Sequence, residues 1–127
     1  MGTFRDGELA DLRELAGNDP HAALGRVETL LTSARHDAER RAALRWVAGI
    51  ARREMGDLAA ARPEFERALE ETREPRLSAQ IGSSLAYLLA QQGELDRAVE
   101  LLERAEPHTD GAEHGRVSGQ LGVIAYW

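Results

Sequence analysis

Near the end of the chain, His108, Asp110, Glu113 and His114 carry side chains that could hold a divalent metal. Imidazole and carboxylate are suitable donors for such an ion. Asp110 and Glu113, however, have the cap-plus-three spacing of a helix start, where side chains of these types bond backbone N–H groups. They are better used as caps, so no metal is expected. Gly115, Gly119 and Gly122 do not make a phosphate loop, because they sit in a helical pattern with no strand before it. Small residues at close helix contacts account for them. His21 and His36 fall near helix termini and are expected in solvent. The acids and arginines of "RPEFERALEETREPR" (62–76) read as spaced pairs along a helix surface. No catalytic set emerges, and neither an enzyme nor a cofactor is expected.

Composition narrows the field further. A chain of 127 residues is about one domain and buries roughly two-thirds of its unfolded surface. Its net charge is −6, and all 16 basic residues are arginine. An acidic, evenly mixed chain repels a phosphate backbone and shows no basic stripe, so nucleic acid is not an expected partner. The use of Arg without Lys, with abundant Ala, Gly and Leu, points to a GC-rich genome. Cysteine is absent, in keeping with a reducing compartment. No apolar run approaches the roughly 20 residues of a membrane span. The start, "MGTFRDGELADLREL", lacks the basic-then-apolar order of a signal peptide. A cytoplasmic protein without membrane contact is the expectation.

Val, Ile and Thr are few and aromatics make up 5%, whereas apolar residues recur at three and four throughout, so the chain reads as all-α. A first helix is predicted from about Thr3 to Ala16 around Leu9, Leu12 and Leu15, ended by Gly17 and Asn18 in left-handed conformation. Asp19 caps a second that opens on Pro20, with Leu24, Val27, Leu30 and Leu31 inward to about Ser33. A third spans about Asp37 to Met55, with Leu44, Val47, Ala48, Ala51 and Met55 on one stripe. The fourth carries Leu58, Ala61, Phe65, Ala68 and Leu69. Within it, Pro63 predicts a bend or a late start at about Ala60. The fifth begins near Pro75 with Ile81, Leu85, Leu88 and Leu89. The sixth carries Leu95, Ala98, Val99, Leu102 and Ala105 up to Pro107, and a seventh after Asp110 carries Val117, Leu121 and Ile124. Short turns make successive helices antiparallel hairpins.

The helices repeat. Gly56 and Gly93, Ala61 and Ala98, Phe65 and Leu102, Ala68 and Ala105, Ala48 and Leu85, and Gly49 and Ala86 are each 37 residues apart. Ile81, Leu85, Ala86 and Leu88 return 36 later as Val117, Leu121, Gly122 and Ile124, and Gly17 lies 39 before Gly56. Glycine suits a turn that needs the left-handed conformation, and alanine suits places where two backbones approach closely. The stretches "AGIARREMGDLAAARPEFERAL" and "SLAYLLAQQGELDRAVELLERA" resemble tetratricopeptide repeats, a helix-turn-helix unit of 34 residues. Ala48 and Arg52 stand where that family usually has larger apolar or aromatic residues, and 17–34 is degenerate, with Arg26 at the aromatic position. The resemblance implies a right-handed α–α superhelix of antiparallel hairpins with about seven helices. Its parts would be a degenerate repeat at 3–34, repeats at 42–74 and 79–107, and the first helix of another at 112–127.

The same resemblance implies that first helices line a concave surface. Carried across, that face collects Trp46, Ile50 and Arg53, then Tyr87 and Gln91, then Val123, Tyr126 and Trp127. A groove with aromatic anchors, arginine and amides suits a bound peptide or helix. Trp46 and Ile50 have a second reading, as packing residues against the amino-terminal helices. The stretch "REPRLSAQIGSSLAYLLAQQGELDRAVELLERAEPHTDGAEHGRVSGQLGVI" is also similar to the amino-terminal repeat regions of actinobacterial CHAT proteins, which precede a caspase-like peptidase domain. This implies the recognition half of such a protein without its catalytic half. The seventh helix has no partner before the chain ends at Trp127, so either a longer protein or self-association through that helix is expected. The functional expectation is a non-catalytic scaffold for protein or peptide partners. A ligand-sensing or self-associating module that controls an attached effector, such as a transcription regulator, is the alternative.

Overall fold

Carboxylates set the starts of four helices among the described residues. A computed structural model describes residues 7–105, and these form six helices: α1 (Glu8–Asn18), α2 (Pro20–Ser33), α3 (Ala38–Glu54), α4 (Leu58–Glu71), α5 (Pro75–Gln91) and α6 (Leu95–Ala105). No strand occurs among the described residues. Asp19, Asp37 and Asp57 each accept a hydrogen bond from the backbone N–H three residues on, at 3.2, 3.1 and 3.0 Å. Such caps satisfy N–H groups that the first helical turn leaves without partners. Glu74 caps α5 in the same way, accepting from Arg76 N–H at 3.1 Å and Leu77 N–H at 2.8 Å. The seventh helix and the candidate residues from His108 onward lie outside the described residues, as does the predicted start at Thr3.

Two boundaries differ from expectation. Gly17 and Asn18 belong to α1 and do not end it in left-handed conformation. Asp19 ends it instead: its N–H donates to the Leu15 carbonyl at 2.7 Å while its side chain starts α2. One residue therefore serves as both the end of α1 and the cap of α2. The second difference is the start of α4, which lies at Leu58 and not at about Ala60; the helix is continuous through Pro63. Proline leaves the carbonyl four residues earlier, that of Ala59, without its helical donor. Ala59 and Pro63 are both exposed, so water can take that bond. The Asp57 cap and three alanines at 59–61 hold the turn before it.

Packing divides the chain after Arg73. In the first unit α3 is central, lying against α1, α2 and α4; in the second, α5 lies against α6. Leu12, Val27, Leu44, Val47, Ala48, Ala51, Ala61, Phe65 and Ala68 are buried in the first, and Ile81, Leu85, Leu88, Leu89, Ala98, Leu102 and Ala105 in the second. Met55, expected on the α3 stripe, is 39% exposed, because the helix ends just before it at a turn. Leu101 joins the buried set.

The two turns are built alike. Gly56 and Gly93 have φ of 81° and 85°, a conformation that costs side-chain-bearing residues about 1–2 kcal/mol. Asp57 N–H reaches back to the Arg52 carbonyl at 2.9 Å, and Glu94 N–H to that of Leu89 at 2.8 Å. Between α3 and α4, Gly49 lies against the Phe65 ring. A Cβ placed there would lie 2.5, 2.6 and 2.9 Å from three ring carbons of Phe65. At the corresponding positions 37 residues on, the pair is Ala86 and Leu102, both fully buried. The larger side chain faces the smaller in each pairing by register.

Gly49→Ala should therefore destabilise the protein by about 1–3 kcal/mol, as overpacking does. Combining it with Phe65→Leu should recover part of that loss, seen as coupling in a urea-denaturation double-mutant cycle. Additive costs would mean that the ring and residue 49 do not compete for space. Pro63→Ala should raise stability by about 1–2 kcal/mol, because it restores a helix-compatible residue with an N–H.

Candidate functional site

Two faces of α3 are occupied differently. Arg41, Arg45 and Arg52, spaced four and seven apart, lie on the side facing α4 with Gly49 between the last two. Arg41 Nε and Arg45 Nε both donate to Glu71, at 2.8 and 3.0 Å. Arg45 also lies 3.6 Å from Glu64, and Arg52 Nε donates to Glu64 at 3.4 Å. Early α3 thus meets late α4 and late α3 meets the middle of α4, as two helices folding back on each other must. Glu64 and Glu71 turn inward to α3, whereas the sequence pattern assigned them to surface pairs. Of that stretch, Arg62 and Glu66 do pair along the helix, at 3.5 Å.

Arg52 also explains a departure from the repeat pattern. Its position ordinarily holds a bulkier apolar residue, and here a long aliphatic stem covers the gap while the guanidinium finds Glu64. Arg41 reaches the carbonyls of Ala34 and Arg35 as well, so it ties the end of α2 to α4. Glu39 closes the far end: it accepts from Thr72 Oγ1 at 2.6 Å and from Arg73 N–H at 2.7 Å. The chain leaves α4 in a direction set by a carboxylate in the first turn of α3.

Trp46 and Ile50 lie on a second face of α3. Trp46 is 2% exposed and Ile50 9%. The Arg13 guanidinium of α1 lies over the indole, 4.5 Å from the ring centroid, within the range of a cation–π contact. Arg40, at the same end of α3, pairs with Glu8 of α1 at 3.1 Å. Of the two readings open for Trp46, packing against the amino-terminal helices describes its place in this conformation. Arg53 is half-buried and lies 3.8 Å from Glu54.

On α5, Tyr87 is 45% exposed and Gln91 is exposed, while Gln80, Ser83 and Ser84 are half-buried. Tyr87 lies off the stripe of Ile81, Leu85, Leu88 and Leu89, which is wholly covered. The run from Leu77 to Gly93 contains no charged residue, in a chain that is 30% charged. Core residues account for one side of the helix only. The other side is uncharged while being partly in water, and the gap in charge was visible in the sequence without being used. Val123, Tyr126 and Trp127 lie outside the described residues.

His21 and His36 are exposed. Among the described residues no group of three or more His, Cys, Asp or Glu is placed to hold a metal. None of the described helices is long and apolar enough to cross a membrane.

A family model for the tetratricopeptide repeat matches residues 52–121, more than half of the chain. A search of curated proteins and a search of solved structures each found no match.

If the arginine–glutamate row holds the hairpin, removing its shared acceptor should cost more than removing a surface pair. Glu71→Ala should lower stability by about 1 kcal/mol or somewhat more, since two guanidinium groups lose one carboxylate. Glu66→Ala should cost less than about 0.5 kcal/mol. Equal losses in thermal unfolding would place both on the same footing, as solvated surface pairs.

Proposed function

The chain belongs to the tetratricopeptide repeat family, and from that premise we propose that it is a non-catalytic scaffold that binds a peptide or a helix on the inner faces of its first helices. Repeats of this family are generally protein-interaction modules, and typically they are not catalytic. The observation that carries the reading is Tyr87: a large aromatic side chain, 45% exposed, on the uncharged, partly solvated side of α5. A protein surface that loses water on binding favours Tyr and neutral amides, because an unpaired charge is costly to desolvate. Gln91, Gln80 and Ser83 beside it supply hydrogen-bonding groups of that type.

The similarity of 73–124 to the amino-terminal repeats of actinobacterial CHAT proteins supports a narrower form of the reading. In that form the chain is the recognition part of a larger regulatory protein of the cytoplasm, and an attached peptidase does the chemistry. Sequencing the reading frame beyond the codon for Trp127 tests it directly. A Cys/His peptidase domain downstream is the expected result; a stop codon there removes this narrower form.

Once a partner is isolated, Tyr87→Ala should weaken capture at least about tenfold, as loss of a central aromatic contact does. Glu103→Ala, on the exposed side of α6, should leave it unchanged. Unaltered affinity of the Tyr87→Ala protein would remove this face as the site.

A further inference from the structure

Trp46 heads the fully buried side chains by volume, yet it sits on the face of α3 where this reading puts partner contacts. Arg13 of α1 lies over it. Helix α1 is the shorter of its kind: 11 residues, against 17 each for α3 and α5. Its amino terminus follows Gly7 at φ 83° and has no side-chain cap, and only Leu12 and Ala16 in it are buried. An isolated helix of this length barely forms in water. Leu9 and Leu15 are half-buried, and α1 also lies against α2; its polar contacts with α3 include Arg13 on the indole and Glu8 on Arg40.

We propose that α1 is a displaceable cover, and that a partner helix reaches Trp46 by taking its place. The chemistry of that partner follows from what α1 brings. At 100° per residue Leu15, Leu12, Ala16 and Leu9 form one apolar arc, with Glu8 between Leu15 and Leu12 and Arg13 at the edge beyond Leu9. The partner is an amphipathic helix with a carboxylate set within its apolar stripe, for Arg40, and a guanidinium on one edge, for the indole. The inference rests on the interaction reading above and adds to it a competition within the chain.

The test uses the full chain with Trp127→Phe, which leaves Trp46 as the single tryptophan. Amide hydrogen exchange should show α1 opening at least about 100-fold more readily than α3, as a local event. Glu8→Ala with Arg13→Ala should speed α1 exchange further and raise acrylamide quenching of Trp46 several-fold, with α3 and α4 amides unchanged. Equal exchange in α1 and α3 would overturn the proposal, since α1 would then open only with the whole unit. So would a double variant in which every helix exchanges faster.

The partner chemistry has its own arm. An end-blocked peptide of sequence GELADLRELAGND, at the millimolar level needed to rival a tethered segment, should reduce Trp46 quenching in the double variant. The same peptide with its arginine changed to alanine should not. Equal behaviour of the two peptides would overturn the arginine requirement. An unaltered affinity in the Tyr87→Ala experiment would count against the α5 face and leave the exchange result on α1 untouched.

Discussion

The approach of α3 to α4 at Gly49 is the contact on which the first unit depends. The Phe65 ring occupies the volume where any other residue at 49 would place its Cβ. With the helices that close, the side chains on either side of the contact can meet across it. Arg45 and Arg52 find Glu64, and Arg41 and Arg45 find Glu71. A wider spacing would leave these half-buried groups bonding only to water, and the row would become a set of surface charges of little consequence. The second unit has the same register with the volume distributed differently, Ala86 for glycine and Leu102 for phenylalanine. Such an exchange keeps the sum of the two side chains nearly level, which is what a close-packed interior tolerates.

Arginine, the sole basic residue type in the chain, suits this arrangement. Its planar fork offers several donors in fixed directions, so Arg41 bonds a carboxylate on α4 and two carbonyls at the end of α2 at once. A lysine could neutralise Glu71 but could not span those partners with one rigid head. The same property recurs at Arg13, where a flat guanidinium lies over an indole face. Most of the polar tethers described in the first unit are thus guanidinium contacts, and with Glu39 they converge on α3.

Much of this was legible in sequence because it depends on local rules. Asp19, Asp37 and Asp57 mark helix starts through a side chain that bonds three residues ahead, and Gly56 and Gly93 mark turns through a conformation other residues avoid. The 37-residue step joined these marks into hairpins. What escaped had partners far away in sequence. Glu64 and Glu71 have arginines within reach on their own helix, and only the placement of α3 shows that they turn elsewhere. Pro63 carries a penalty that can be read from the chain, but the early start of α4 at Leu58 depends on the Asp57 cap and on an orphaned carbonyl that belongs to an exposed residue. At Asp19 the tie was between two uses of a single residue, and the glycine and asparagine before it drew the helix end two residues too early.

The inner faces pose a harder problem than the core. Ile50 and Tyr87 are 37 residues apart and occupy the same position in their hairpins, yet one is 9% exposed and the other 45%. The same periodicity therefore gives opposite answers about access to a partner. A core position is decided by its own hairpin, since the facing helix always follows after a short turn. An inner-face position is decided by neighbours that the repeat does not specify. For α3 one such neighbour is α1. It holds Trp46 with one arginine and Arg40 with one glutamate, contacts weak enough for another helix of the same charge pattern to replace. The residues of α1 that pack on α3 are thus those available to cover, and to release, the face beside it.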